Sequence, residues 1–313
     1  MTQIHPQMQI ILDRVARLSQ PPLTSLTPNM ARKLDAENFD VYWNADAPVL
    51  SSVTDHLVAG SEGSIPMRLY DPGVTKPAPC LVYFHGGGWV LGRLDSHDRV
   101  CRELALAGNM LVASIAYRLA PEHKFPIPLR DCIAGTRWIA AKGKTLGIDP
   151  PHLAVGGDSA GGNLALATLT ALRDEKGPDI RAGLLVYGMF AADPGTRSQL
   201  RFGDGRYFLS TEETEWFWRC YLNEDRERTD PRAAPLRAEL GGLPPLYVAA
   251  AEFDPLLDDS LQLVERLQTA GQPHHFRLWP GLVHGAFQMS RELEPMRGYI
   301  AEIGAFLKSA LRA

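Results

Sequence analysis

Apolar positions along the chain follow two alternating rhythms. Short runs rich in strand-formers recur from Cys80 onward, as "CLVYF", "MLVASIAY", "HLAVGG", "AGLLVYG", "PLYVAAA" and "HHFRLW". Between them lie stretches with helical spacing: Ser96 to Ala107, Pro126 to Lys142, Ala160 to Asp174, Asp258 to Ala270, and a last one from about Ser290. Two further strand-like runs begin near Val53 and Met67, which makes eight. Continuous apolar strands alternating with helices predict an α/β fold, a mostly parallel eight-stranded sheet covered by helices on both faces.

Two regions break this rhythm. Near the amino end Ile4, Met8, Ile11, Leu12, Val15 and Leu18 recur at helical spacing, and "SQPPLTSLTP" then stops the helix. Thr27 followed by Pro28 predicts an N-cap and first helical position, opening a second helix through about Asp35. Later, Ala191 to Pro245 interrupts the alternation with one helical patch, "STEETEWFWRCYL", and so long an excursion inside a compact domain usually carries function. The expected organisation is a body of residues 51–190 and 246–313 under a helical cap in two parts, residues 1–50 and 191–245. The sequence contains no internal repeat and no low-complexity tract.

Composition narrows the function classes. With 313 residues, 45% hydrophobic and 22% charged, the chain can bury a large core. A formal net charge of −4 offers no basic field for phosphate backbones, so nucleic acid is not an expected partner. Asp13 and Arg14 interrupt the apolar positions of the first segment, which lacks the pattern of a secretory signal, and nowhere do about 18 apolar residues run together. A cytoplasmic protein without a membrane partner is expected, and a homodimer stays open. Cys80, Cys101, Cys132 and Cys220 show no C-x-x-C spacing and are expected as reduced thiols. His97 and Cys101 stand four apart on an expected helix, but no second ligand pair accompanies them. Alternation along a strand sends His274 and His275 to opposite faces. No metal or other cofactor is expected.

The chemistry gathers at two glycine-rich junctions. In "HLAVGGDSAGGNLALATL" the pattern turns from strand to helix through Gly157, Asp158, Ser159, Ala160 and Gly161, a G-x-S-x-G order. Such a turn lifts the serine hydroxyl above the sheet and requires small neighbours, and the following helix points its positive amino end at the reacting atom. A serine nucleophile needs a base, and the base an orienting carboxylate. Asp254 follows "PLYVAAAEF" at a strand's carboxyl end, and His284 lies in "GLVHGAF" after "HHFRLWP". Loops at the carboxyl ends of parallel strands share one crevice, so residues this distant in sequence can meet. Glu252, Asp258 and Asp259 compete for the acid's role; Glu252 is read toward the sheet's flank and the two aspartates as first-turn helix residues, while Asp254 is preferred by its loop position. "HGGG", His85 to Gly88, follows "CLVYF" at the same edge, where bare backbone N–H groups could stabilise an oxyanion together with the N–H of Ala160.

"HGGGW", "SHD" from Ser96, "YRLAPEHKFP" from Tyr117, "GDSAGGNLA", "DPL" from Asp254 and "HGAF" together resemble the hormone-sensitive-lipase-like esterases of the α/β-hydrolase fold. The resemblance runs from about Asp55 to the end; Ala286 departs from it, since many members carry Phe directly after His-Gly. It implies a catalytic triad of Ser159, Asp254 and His284, an oxyanion hole of Gly87, Gly88 and Ala160, and His85 as a brace for the loop. The implied activity is hydrolysis of carboxylic esters through an acyl-enzyme, and the aromatics expected over the crevice, Phe208, Trp216, Phe217 and Trp218 with Trp89, narrow the expectation to soluble esters with short acyl chains of about two to six carbons. Hydrolysis of amides, thioesters or lactones is the alternative chemistry. The plant gibberellin receptors, which resemble the same family and bind without turnover, lack the catalytic histidine that His284 supplies here. Trp89, Trp216, Trp218 and Phe208 are the expected substrate-binding side chains, with Phe217 able to serve as channel wall or as anchor. Glu122 is expected in a structural ion pair or turn.

Overall fold

Helical spacing at the amino end produces α1 (Pro6–Arg17), which buries Met8, Ile11 and Leu12 along one face. The computed structural model describes residues 3–60 and 62–312. In α2 (Pro28–Asp35), Pro28 takes the first position and Thr27 Oγ1 accepts the Met30 N–H at 3.4 Å. The helical path continues past the expected end at Asp35, through one π turn (Ala36–Asp40) into α3 (Val41–Asn44). This amino-terminal segment is fastened to the rest by two bidentate ion pairs. Arg14 donates to Glu292 at 2.6 and 2.9 Å, and Arg32 to Glu122 at 2.6 and 2.9 Å.

Eight strands form one sheet in the order β1-β2-β4-β3-β5-β6-β7-β8. They are β1 (Ser52–Gly60), β2 (Gly63–Asp71), β3 (Ala78–Phe84), β4 (Leu111–Ile115), β5 (Ile148–Asp158), β6 (Ala182–Val186), β7 (Leu246–Phe253) and β8 (His274–Val283). β2 runs antiparallel to both its neighbours, and every pairing from β4 to β8 is parallel. The strands alternate with α4 (Asp98–Gly108), α5 (Ile127–Lys142), α6 (Ala160–Asp174), α7 (Arg197–Phe202), α8 (Thr211–Tyr221), α9 (Leu257–Thr269) and α10 (Glu294–Ala310).

The pleat divides the interior into two cores. Along β3, Cys80, Val82 and Phe84 join the cluster that includes Leu129 of α5, Leu164 of α6 and Leu263 of α9. Leu81 and Tyr83 face the opposite way, into the cluster that includes Leu104 of α4 and Ile303 of α10. The sheet is thus buried on both faces, as its continuous apolar strands require. One helix boundary and one whole helix depart from the sequence expectation. α10 begins at Glu294 instead of about Ser290, because Pro295 has no N–H to donate and fits only in a first turn. The six-residue α7, unforeseen, opens with a capping box between Thr196 and Gln199.

Residues 191–245 leave the sheet after β6 and return at β7. Their entry is fixed by α9: the Asp259 carboxylate accepts the Ala191 N–H at 2.8 Å, and Asp258 accepts the Ser198 N–H at 2.9 Å. Both aspartates lie in the first turn of α9. Asp259 is fully buried, and that burial pushes its carboxyl up to about 8, against the pull of backbone N–H groups.

Candidate active site

Ser159 is the single residue between β5 and α6, and the bend leaves it at φ 54°, ψ −121°. A non-glycine residue held there stores on the order of 1–3 kcal/mol of backbone strain. The surroundings hold it: its N–H donates to the Val186 carbonyl at 2.9 Å, and its own carbonyl accepts the Asn163 N–H at 3.1 Å. The glycine at position 161 is a packing requirement, since a Cβ there would lie 2.0 Å from the Phe84 carbonyl oxygen.

The three residues expected to act together meet at this bend. His284 Nε2 lies 2.9 Å from Ser159 Oγ, and His284 Nδ1 lies 2.8 Å from Asp254 Oδ2. Asp254 is completely buried, and its other oxygen accepts the Leu256 N–H at 2.8 Å. The competing carboxylates are engaged elsewhere. Glu252 accepts the Gly281 N–H at 2.8 Å, and Asp258 and Asp259 hold residues 198 and 191 as described. Tyr187 packs its ring 4.6 Å from that of His284.

A second buried polar cluster braces the "HGGG" loop. Asp158 accepts from the Tyr83 hydroxyl at 2.6 Å and from the Gly86 N–H at 3.1 Å, and His97 Nε2 lies 3.2 Å from its other oxygen. Burial works against the Asp158 charge, but His97 and the Tyr83 hydrogen bond outweigh it and hold the carboxyl below its usual range. His85 stacks on Tyr117 at 4.4 Å and its Nδ1 lies 2.8 Å from the Gly86 carbonyl. Burial, reinforced by His97, depresses its imidazole to about 4, which keeps the ring neutral near pH 7. His97 is therefore committed to Asp158, while Cys101 is buried in the core. His275 bonds Glu302, and His274 lies against the Gln272 carbonyl. Among the described residues no three histidine, cysteine or acidic side chains gather as a metal site.

The triad opens into a cavity of about 440 Å³. Its floor includes Gly87, Gly88, Ser159 and His284, and the amino-terminal segment contributes Leu34, Phe39 and Trp43 to its wall. The Gly87 carbonyl accepts the Val90 and Leu91 N–H groups at 3.1 and 2.7 Å, which folds the loop tightly. Gly88, at φ 58°, leaves no room for a side chain, because a Cβ would stand 2.1 Å from Phe217. Ala160 opens α6, where the first N–H groups have no partner within the helix.

Phe208 lines this cavity, but three other expected substrate contacts do not. Trp89 has no exposed surface; it stacks on Tyr221 at 4.2 Å and 5° and lies 4.5 Å from Trp218. Trp216 and Trp218 are buried as well, outside the cavity wall. The reason is helix rotation: successive residues on α8 are about 100° apart, so when Phe217 faces the cavity its two neighbours turn away. One turn earlier on the same face, Glu213 also lines the cavity and was missed. The S-x-x-E spacing of Ser210 and Glu213 announced a capping box, not the direction that its glutamate would face.

Comparison with known proteins bears on this geometry. A family described by its α/β-hydrolase fold matches residues 81–288. The esterase LipI of Mycobacterium tuberculosis is 40% identical over 238 residues, 74% of this chain and 74% of its own length. An acetyl esterase of Salmonella typhi is 35% identical over 256 residues, 80% of this chain and 77% of its own. The solved structure of a hyperthermophilic esterase from the archaeon Pyrobaculum calidifontis aligns with a TM-score of 0.94 at 33% identity, covering 99% of this chain and 100% of that one.

Proposed function

The chain belongs to the α/β-hydrolase family, among its hormone-sensitive-lipase-like esterases, and from that premise we propose how it works as a serine carboxylic ester hydrolase. The observation that carries the reading is the relay from Ser159 Oγ through His284 to Asp254, at 2.9 and 2.8 Å. His284 Nε2 takes the Ser159 proton as Oγ attacks the ester carbonyl, and Asp254 holds the imidazole in the tautomer that leaves Nε2 free. The N–H groups of Gly87, Gly88 and Ala160 receive the oxyanion. Collapse of the tetrahedral intermediate breaks the bond to the alcohol oxygen, which leaves with the proton from His284. Water, deprotonated by the same imidazole, then releases the acid and restores Ser159.

The substrates are small esters with short acyl chains. Residues 1–50 and 191–245 act as the cap, and Phe208 and Phe217 help bound the space above the serine. The cavity's 440 Å³ lies toward the lower end of small-molecule sites, which run from roughly 300 to 1,000 Å³. No described helix is long and apolar enough to cross a membrane. The reading extends to a cytoplasmic enzyme, with a second copy of the chain as its candidate protein partner; cell fractionation and sedimentation check both.

Two measurements test the function. An organophosphonate should add to the intact protein once, with the label mapping to Ser159; label on another residue overturns the mechanism. Across p-nitrophenyl esters from acetate to palmitate, kcat/KM should peak at about two to six acyl carbons and fall steeply beyond, as each excess methylene costs about 1–3 kcal/mol once the pocket is full. A maximum at the long end, or a rate jump when substrate forms an interface, overturns the short-chain reading.

A further inference from the structure

The cavity wall is electrically one-sided. Glu213, Asp35 and Asp158, the last beside His97, line it, whereas no lysine or arginine does among the described residues. Glu213 lies in the first turn of α8, where Oε2 accepts both the Ser210 N–H at 2.8 Å and the Ser210 hydroxyl at 2.9 Å. Its other oxygen, Oε1, has no hydrogen-bond partner among the described residues. Among the described residues no basic side chain pairs with it in an ion pair. Burial raises its carboxyl above the usual range, and the Ser210 N–H and hydroxyl only partly offset this. Glu213 and His284 line the same cavity, so the carboxylate shares the space in which the imidazole works. A half-buried carboxylate with one oxygen unpaired, in a cavity lined by no lysine or arginine among the described residues, is stabilised by a cation or N–H donor brought in by the substrate.

We propose that Glu213 reads the charge of the ester: its carboxylate favours substrates bearing an ammonium or comparable hydrogen-bond donor and rejects those bearing a carboxylate. The proposal rests on the ester-hydrolase reading and adds the substrate class. Attraction and rejection act together here. An anionic ester must approach an unneutralised carboxylate in a partly desolvated space, whereas a cationic one relieves it. Phe217, one turn along the same helix face, supplies an aromatic wall beside the same charge.

The test uses two matched trios of esters. In one the alcohol half is varied: acetylcholine, its uncharged isostere 3,3-dimethylbutyl acetate, and acetoxyacetate. In the other the acyl half carries a trimethylammonium, a tert-butyl or a carboxylate group, on ethanol as the common alcohol. Turnover is followed by pH-stat at pH 7.5 and moderate salt. In at least one trio the wild-type kcat/KM should favour the cation over the anion by about tenfold or more, the scale of one charged hydrogen bond. Glu213→Gln should shrink that ratio to within about threefold, with each ratio normalised to the uncharged ester on the same variant so that a general loss cancels. Glutamine keeps the capping box with Ser210, so the helix start survives. Glu212→Gln, which alters the exposed neighbour bonded to Thr24, should keep the wild-type ratio. Equal kcat/KM for cation and anion in both trios, persistence of the ratio in Glu213→Gln, or its collapse in Glu212→Gln overturns the proposal while the hydrolase reading stands. If wild type hydrolyses neither the uncharged esters nor p-nitrophenyl acetate, the hydrolase reading fails and takes this proposal with it.

Discussion

The sheet-and-helix body and the segments lying over its strand ends hold their functional side chains by different means. In the body, Asp254, Ser159 and His284 are buried and each is fixed by the backbone around it, through Leu256, Val186 and the turn after β8. The overlying segments depend on surface ion pairs such as Arg32 with Glu122, and on aromatic stacks such as Trp89 on Tyr221. Exposed pairs of that kind contribute about 0–1 kcal/mol each, whereas the buried network of the body leaves unpaired charge behind if one member is removed. The relay of Ser159, His284 and Asp254 therefore sits where the structure is least adjustable, and the part of the cavity wall that the overlying segments supply sits where it is more so.

The largest test of this division is to remove the chemistry and leave the scaffold. Ser159→Ala and His284→Ala should each lower kcat by on the order of 10⁴ to 10⁶, because triad members act as a unit; the unfolding midpoint should stay close to wild type in Ser159→Ala and fall in His284→Ala, which leaves the buried Asp254 without its imidazole partner. Retention of more than a small fraction of activity would take that residue out of the triad. Next in size, Asp254→Asn should cost about 10⁴ through the wrong imidazole tautomer. Glu252→Gln and Asp258→Asn should cost far less, since their carboxylates accept from the Gly281 and Ser198 N–H groups. A larger loss in either than in Asp254→Asn would move the acid to another position.

The same division decides what could be read from the sequence. A strand has only two faces, so alternation along the apolar run of β3 divides its residues between two buried faces, and loops at parallel strand ends had to converge on Ser159, Asp254 and His284. α8 has no such binary choice. Its three consecutive aromatics span about 200° of helix, and only packing against the Gly88 loop selects Phe217 as the one that faces the cavity. Trp89 misled for a related reason: its position beside the glycine loop of residues 86–88 suggested the pocket, but its φ of 61° turns the chain there and its indole joins the buried stack with Tyr221. The run from Ala36 to Asn44, which brings Phe39 and Trp43 to the wall, lacks the start signal that Thr27 and Pro28 gave α2.

Wall and strut on α8 can be separated experimentally. Phe217→Ala should lengthen the preferred acyl chain, raising the octanoate-to-butyrate ratio of kcat/KM by about tenfold, because several methylenes gain space. Trp218→Ala should leave that ratio unchanged and lower stability by about 3–5 kcal/mol, the cost of emptying a packed aromatic site. Identical chain-length profiles in the two variants would show that the aromatic face toward the cavity does not limit acyl length.

The most gradual effect lies at the seam between body and overlying segment, where Asp259 of α9 holds the Ala191 N–H. Burial raises this carboxyl to about 8 in the folded protein, whereas in the unfolded chain it titrates near 3.9. Between those values the folded state keeps a proton that the unfolded state has released, so the contribution of this group to stability falls as pH rises across the window, by at most about 1.4 kcal/mol per pH unit; His85, depressed to about 4, acts in the opposite sense at the acid end and cancels when variant and wild type are compared. Above about 8 both states are ionised and the slope ends. Asp158 does not confuse the reading: its carboxyl is held below the usual range, so its contribution is complete above the unfolded value and is lost only at more acid pH. Asp259→Asn removes the titration and can still accept the Ala191 N–H through its amide oxygen. The variant should therefore gain stability relative to wild type at each step from pH 5 to pH 8, measured by urea unfolding. Parallel stability curves across that range would mean that Asp259 keeps its charge on folding, and that the seam is held by a carboxylate at every pH tested.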